Sequence, residues 1–308
     1  MDALSRLLQL AQVRVLLDVR CLLGDLFVLP HAQLPQEAAF HLVLSGECRL
    51  RMAGRELLLA PGDFVLLPRG GDHVIESAAG GTGLEPPRLQ PGGGLPVKTN
   101  LGAEDQATVE LLCGRYRYAG GAGQLLAHWL PELLQVNLLA GAPQQGLQAL
   151  VDWLRSEAAA PPLPGAHAVM DGLGQALLGQ ALRAAPQMQL PAGLLPLLAD
   201  ARLAPSIRAV LDAPDSRWTI EALARTVAMS RASYARRFQV LAGCGVAEFV
   251  LRLRIMQACA WLAQSRRSVA DVAEAVGYGS EAAFATAFKR VLGQTPARWR
   301  RAQLNDAD

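Results

Sequence analysis

The chain has no CxxC pair, and its five cysteines are scattered and odd in number, which excludes a disulfide framework. Its start, MDALSRLLQLAQ, lacks a basic stretch followed by an apolar core and a small-residue cleavage site, so no secretory signal is expected. Apolar runs such as Leu194–Leu198 are too short and too interrupted to span a bilayer, and no membrane partner is expected. Together these absences point to a reducing cytoplasm, where an oxidised cysteine is a signal rather than a staple. Strong net charge is also lacking: 29 Lys+Arg against 27 Asp+Glu leaves +2. That figure hides a split. Residues 1–205 hold 14 basic and 18 acidic residues, net −4, whereas residues 206–308 hold 15 basic and 9 acidic, net +6. An acidic body joined to a basic last third points to a regulatory part and a nucleic-acid-binding tail. With 308 residues, 51% hydrophobic and 18% charged, the chain has the length and apolar content for about two folded domains.

Residues 1–13 space Leu4, Leu7, Leu8 and Ala11 as a helix. From Leu22 to Ile75 short β-type runs take over: Phe40–Leu44, Cys48–Met52, Glu56–Leu59 and Phe64–Leu67, separated by Ser45-Gly46, Ala53-Gly54 and Pro61-Gly62-Asp63. Even strands with turn residues between them predict an antiparallel sandwich or small barrel. Residues 78–106, with GGTG, EPP and QPGGG, read as a mobile loop without a packed core. Thr108–Tyr118 reads as a strand returning to the same sheet. Residues 124–212 read as helix-rich, with apolar faces Leu147/Leu150/Val151/Leu154 and Val169/Leu173/Leu177, broken by prolines at 161–164 and 186. Those faces serve equally as internal core or as a homodimer surface.

The basic tail carries the most specific pattern. Thr219 is an N-cap, and Leu223, Ala224 and Val227 form a buried stripe. After a break at Met229-Ser230, a second helix, Arg231–Leu241, turns Tyr234, Phe238 and Leu241 inward and leaves Arg231, Ser233, Arg236, Arg237 and Gln239 outward. A short helix, a tight turn and a basic second helix form the geometry that sets a recognition helix in the major groove. The arrangement recurs about 50 residues later: Val269–Val276, the turn Gly277-Tyr278-Gly279, Ser280 as cap, then Ala282–Leu292 with Phe284, Phe288 and Leu292 inward. Val246–Ala263 reads as a connecting helix whose Arg252 and Arg254 suit phosphate contacts.

The run Ala273-x-x-x-Gly277-Tyr278-x-Ser280-x-x-x-Phe284-x-x-x-Phe288-Lys289-x-x-x-Gly293-x-x-Pro296 closely resembles the signature of the AraC/XylS family of bacterial transcription regulators. The resemblance implies a monomeric pair of helix-turn-helix units reading successive major grooves of promoter DNA, with RNA polymerase as a further partner. It places DNA contacts on Ser230, Arg231, Ala232, Ala235, Arg236 and Arg237 in the first unit. In the second they fall on Ser280, Glu281, Ala282, Ala285 and Thr286, with Lys289 on phosphate. Arg236 is able to pair bidentately with guanine; the second helix is small and nearly uncharged.

In the body, Gly62–His73 fits the second cupin motif, G-x5-P-x-G-x2-H, so the resemblance extends to regulators of this family with a cupin sensor. Cupin barrels often bind metal through interior histidines, and His31, His41 and His73 are the candidates, with zinc the expected ion. The paired H-x-H of the first cupin motif is absent, which argues against an enzyme, and the same histidines serve as well in polar contacts. The start of the chain, with Cys21-x-Leu23-Gly24 and Leu29-Pro30-His31, resembles the reactive-chlorine-sensing members of the family. That resemblance implies redox sensing at Cys21 and Cys113; Arg20 beside Cys21 favours its thiolate. Cys48, Cys244 and Cys259 read as buried small hydrophobes.

The expected fold class is therefore α+β: a cupin-like β-barrel at 1–122, a helical linker or dimerisation region at 123–205, and an all-α double helix-turn-helix domain at 206–308. The expected function is a sequence-specific DNA-binding regulator, an activator that responds to oxidants through the cupin cysteines. A cupin that binds a small organic ligand or a metal is the alternative, and a metal-dependent enzyme fused to a DNA-binding tail or a nucleoid protein fits less well.

Overall fold

The computed structural model describes residues 1–34, 36–79, 87–102, 106–118, 120–140, 144–187, 190–264 and 267–305. Asp2 opens the first helix, α1 (Ala3–Ala11), by accepting from the backbone N–H of Ser5 at 2.9 Å. Strands follow where aliphatic residues alternate between turns: β1 (Arg14–Leu23), β2 (Val28–His31), β3 (Glu37–Ser45), β4 (Cys48–Met52), β5 (Arg55–Leu59), β6 (Asp63–Leu67) and β7 (His73–Ser77). Next come β8 (Arg88–Gln90), β9 (Val97–Thr99) and β10 (Val109–Arg117), then α2 (Gly120–Trp129), β11 (Leu134–Asn137), α3 (Gln144–Ala159) and α4 (Ala166–Ala184). The remainder is helical: α5 (Leu194–Ala199), α6 (Ala204–Asp212), α7 (Ile220–Thr226), α8 (Arg231–Ala242), α9 (Val246–Gln264), α10 (Val269–Ala275), α11 (Glu281–Leu292) and α12 (Pro296–Asn305).

The chain forms two compact units that are not contiguous blocks. One comprises Arg14–Arg117 with Glu132–Met188, the other Met1–Val13, Tyr118–Pro131 and Gln189–Asp308. The division thus crosses the expected contiguous domains, because α1 and α2 pack with α6 and α9 rather than with the strands.

The sheet unit holds a seven-stranded sheet in the order β11-β6-β3-β10-β1-β9-β8 and a four-stranded sheet in the order β2-β7-β4-β5. Pairing is antiparallel except for β1 with β9. Residues alternate between the two faces of a strand, and the inward set from both sheets closes one core of Cys21, Leu23, Phe27, Leu29, Val43, Cys48, Leu50, Val65, Leu67, Ile75 and Cys113. Two glycines are required. Gly114 lets β10 pass Phe40, since a Cβ there would lie 2.6 Å from that ring and 2.5 Å from the Leu16 carbonyl. Gly70, at φ +58°, turns the chain before β7, with the Glu37 carbonyl 2.9 Å from where a Cβ would sit. On the outer face of β1 lies α4, and the buried Tyr116 hydroxyl donates to the Gly174 carbonyl at 2.9 Å.

Two expectations are corrected here. The segment 78–106 is not a coreless loop: β8 and β9 form within it, and β9 joins the large sheet beside β1. Its positions 80–86 and 103–105 lie outside the described residues. The helix-rich stretch from 124 contains a strand, β11, whose four residues extend the sheet beside β6. The apolar faces of α3 and α4 turn in part into the unit, with Val151, Leu154, Leu173 and Leu177 buried and Leu147, Leu150 and Val169 half-buried.

Candidate sensor site and DNA interface

Strand register assembles the sensor cluster. In the antiparallel pair of β1 and β10, Cys21 opposes Leu111 and Cys113 opposes Val19. The two cysteines are therefore diagonal neighbours on one face. Their sulfurs lie 3.9 Å apart, both side chains buried, 92 residues apart in sequence. Across the next ladder Cys113 opposes His41 on β3, and in the small sheet His31 on β2 opposes His73 on β7. The sheets face each other, so His41 Nε2 meets His73 Nε2 at 2.7 Å and His41 Nδ1 meets Cys113 Sγ at 3.1 Å. The His31 ring stacks on that of His73, 4.8 Å between centroids.

One fixed acceptor sets the proton order. The Gly71 carbonyl, 2.6 Å from His73 Nδ1, accepts from that nitrogen. A neutral His73 then accepts at Nε2 from His41 Nε2–H, and a neutral His41 accepts at Nδ1 from the Cys113 thiol. Burial, the largest cause, keeps all three rings uncharged: His31 is pushed down to about 3, with the charges of His73 and Lys98 adding to burial. His41 is held well below the usual imidazole range by burial and by its two histidine neighbours. His73 is lowered by burial, against the Gly71 hydrogen bond and Asp72.

The two cysteines differ. The contact with the Cys113 sulfur, the largest cause, lowers the Cys21 thiol against the effect of burial, and the positive charge of Lys98 adds to the lowering. The Cys113 thiol is raised by the same contact and by burial. Burial likewise pushes the Cys48 thiol up to about 12. Arg20 does not serve Cys21, which corrects the sequence expectation: adjacent strand residues face opposite ways, and Arg20 Nε pairs with the buried Glu110 at 2.6 Å. Glu110 is also paired with Arg155 of α3. Sequence reading passed over Lys98 because it lies in the Gly/Pro-rich segment; the alternation Val97-Lys98-Thr99 was the available signal.

The three histidines are the metal-type cluster among the described residues, their ligand atoms all within 4.8 Å of one another. His31 Nε2 is buried without a hydrogen-bond partner among those residues. A cavity of about 350 Å³ lined by His31, Arg51, Met52, Asp72 and His73 adjoins the cluster.

In the helical unit, α7–α8 and α10–α11 form the two expected helix pairs around α9. Serine and threonine hydroxyls start each helix: Thr219 accepts from Ala222 N–H, Ser230 from Ser233, Ser268 from Asp271 and Ser280 from Ala283, all within 3.3 Å. Ser268 and Asp271 close a full capping box. Tyr234 and Phe238 of α8, and Phe284 and Phe288 of α11, are buried at matching positions. Gly277, at φ +83°, makes the second turn; a Cβ there would come 2.8 Å from the Asp215 carbonyl.

The residues expected at DNA share one exposed face in each recognition helix. Ala232 and Arg236 are exposed and Ala235 half-buried, as are Glu281, Ala282, Thr286 and Lys289 exposed and Ala285 half-buried. Ser230 and Ser280 are exposed caps. The arginines are not equivalent. Arg231 pairs with Glu221, and Arg237 pairs with Asp200, donating from Nε at 2.8 Å and tying α8 to the α5–α6 junction. Arg236 has no partner of this kind among the described residues. Arg252 pairs with Glu248, and Arg254 donates to the carbonyls of Pro214 and Ser216, so Arg254 holds the α6–α7 connection rather than standing free for phosphate.

Comparison with known proteins agrees with both halves. Residues 2–186 match a cupin family model and residues 223–302 a helix-turn-helix domain model. The chain is 32% identical to the HTH-type transcriptional regulator MtrA of Neisseria gonorrhoeae, covering 98% of each chain. It is 30% identical to a protein of Escherichia coli named the RCS-specific HTH-type transcriptional activator RclR, covering 97% of each. A putative AraC-like transcription regulator of Streptomyces lividans is 30% identical over 98% of both chains. The chain belongs to the AraC-type helix-turn-helix transcription regulators with an N-terminal cupin. It is a sequence-specific DNA-binding regulator and, like these relatives, not an enzyme. No helix among the described residues is long and apolar enough to cross a membrane.

Because the three rings are depressed below the unfolded value of about 6.5, the unfolded chain binds protons that the folded sheet unit refuses. Stability is therefore full above that pH and falls as the pH drops toward His31's own value of about 3. Thermal melts of chelator-treated protein are expected to show this loss between pH 7 and pH 5, and His31→Asn to flatten it.

Proposed function

We propose that this regulator is an oxidant-responsive activator whose switch is a Cys21–Cys113 disulfide. The observation that carries the reading is the buried pair of sulfurs held 3.9 Å apart by the β1–β10 ladder, with His41 Nδ1 3.1 Å from Cys113. The name of the E. coli relative, an RCS-specific activator, supports hypochlorous acid as the oxidant. One thiolate takes the chlorine of hypochlorous acid, releasing hydroxide and forming a sulfenyl chloride. The second sulfur displaces chloride to form the disulfide, and His41 Nδ1 is placed to accept the proton that Cys113 gives up. The sulfurs must close to about 2 Å, which shifts β1 against β10, and the new link closes a loop that restrains the chain between them. Such a restraint is a differential interaction that biases a two-state regulator. The protein acts in the cytoplasm, on promoter DNA and through RNA polymerase.

Two variants test the switch in a promoter-reporter assay with hypochlorous acid: Cys21→Ser and Cys113→Ser are each expected to abolish induction while basal DNA binding persists. Normal induction in either would overturn it. On the DNA side Arg236, without an ion-pair partner among the described residues and on the outward face of α8, is the residue for base readout. Arg236→Ala is expected to cost about 1–3 kcal/mol of binding and to relax selectivity at one base pair. An unchanged titration and selectivity would refute the assignment.

The orphaned His31 Nε2 favours a second feature. His31, His41 and His73 would hold a zinc ion through three neutral imidazoles, its usual donor set; an ion on His41 Nε2 would leave the proton on Nδ1, so the metal-loaded state is distinct from the one in which His41 accepts from Cys113. The ion would supply a fixed positive charge between the two sheets, and its bond to imidazole needs no oxidation chemistry. Protein purified without an affinity tag is expected to carry zinc at one equivalent by elemental analysis, and His73→Ala to lose it. Wild-type protein that neither carries nor takes up zinc would contradict the site.

A further inference from the structure

We propose that Glu110 is the residue through which the disulfide switch reaches helix α3: closing the two sulfurs draws Arg20 off its carboxylate and leaves Arg155 of α3 as the counter-charge. The proposal rests on the redox reading above and assigns a receiver to its strand shift.

Register sets two side-chain pairs against each other. On the core face of the β1–β10 ladder Cys21 opposes Leu111 and Val19 opposes Cys113. Cys113 therefore lies across from the position two residues before Cys21. On the outer face Arg20 opposes Leu112 and Leu22 opposes Glu110. Glu110 therefore lies across from the position two residues after Arg20. The two diagonals lean in opposite directions along one ladder, one on each face, because side chains alternate between faces. A slide of β1 toward its own N-terminus brings the Cys21 sulfur, 3.9 Å from that of Cys113, closer to its partner. The same slide carries the Arg20 side chain away from Glu110. One movement thus serves the disulfide and opposes the ion pair.

Burial turns that movement into a signal. The Glu110 side chain is 3% exposed and holds one guanidinium on each oxygen: Arg20 donates from Nε to Oε1 at 2.6 Å, and Arg155 donates to Oε2. A buried carboxylate that loses a partner is costly, because its charge is left uncompensated. The Arg155 side chain is 44% exposed and has room to follow the carboxylate. As the Arg20 pair weakens, more of the compensation falls on Arg155. That residue belongs to α3, whose Val151, Leu154 and Ala158 are buried in the same unit. The coupling is reciprocal: whatever the disulfide does to the two ion pairs, each ion pair does to the disulfide. Arg20 resists its closing and Arg155 favours it.

The test uses the full-length protein equilibrated in glutathione buffers, where the two thiols form the disulfide as one glutathione disulfide is reduced to two glutathione thiols. The oxidised fraction is read by mass spectrometry after alkylation at low pH. Arg20→Met is expected to raise the equilibrium constant for the Cys21–Cys113 disulfide about fivefold, ~20 mV. Arg155→Met is expected to lower it by about the same factor, with Glu110 still paired to Arg20 and an unchanged circular dichroism spectrum. In wild type, amide hydrogen exchange across α3 is expected to slow on oxidation, and in Arg155→Met it is expected not to change. In a Glu110→Gln background both substitutions are expected to lose their effect, which separates action through this carboxylate from a general change of charge near the sulfurs. Should Glu110→Gln fail to fold, the opposed signs of the two single variants decide without it. A shift missing from either variant, shifts of one sign in both, or α3 exchange indifferent to oxidation in wild type would overturn the relay, while a wild-type Cys21–Cys113 disulfide leaves the switch standing. Absence of that disulfide at every glutathione ratio would remove the switch and the relay with it.

Discussion

The antiparallel pairing of β1 with β10 is the constraint on which the proposed switch depends. It joins two segments 92 residues apart in sequence and fixes their register so that Cys21 and Cys113 fall diagonally on the core face. A slip of one residue in either strand would turn that strand's thiol to the opposite face and separate the pair, since side chains alternate with period two. The ladder also decides the neighbours. His41 reaches Cys113 because β3 flanks β10, and Lys98 reaches Cys21 because β9 flanks β1. Gly114, beside Cys113, keeps this spacing by letting β10 cross Phe40 without a side chain.

Burial then gives the site its chemistry. Three imidazoles and two thiols lie in an apolar core between sheets, where a charge is costly unless something compensates it. The rings respond by staying neutral and passing hydrogen bonds in one direction, from Cys113 through His41 to His73 and the Gly71 carbonyl. Cys21 is the exception because its contact with Cys113, and to a lesser degree the charge of Lys98, lowers its thiol against burial. In the helical unit ion pairs sort the arginines in the same way. Asp200 holds Arg237 and Glu221 holds Arg231, leaving Arg236 for an external partner. The +6 of the last third therefore overstates the charge free to meet DNA.

What was legible in the sequence follows from how local each feature is. Helix caps, the 3.6-residue spacing of Tyr234/Phe238 and Phe284/Phe288, and the Gly277 turn are set within a dozen residues, and the double helix-turn-helix was readable from them. The Gly62–His73 motif and its strands were readable for the same reason. Register between distant strands was not. Nothing local pairs Arg20 with Glu110, places Lys98 beside Cys21 or makes β9 a strand within a glycine-rich segment. Those contacts arise only when the sheet closes. The grouping of α1 and α2 with the C-terminal helices is equally non-local. The cysteine pair itself was reached by resemblance, and the ladder supplies its physical basis.

The most direct measurement is a non-reducing peptide map of the wild-type regulator after one equivalent of hypochlorous acid, set beside promoter binding of the same sample. The account predicts one crosslinked peptide, Cys21 to Cys113, with Cys48, Cys244 and Cys259 still free, rising in step with the change in DNA binding. A DNA-binding change with Cys21 and Cys113 both reduced, or a disulfide to Cys48 instead, would contradict it.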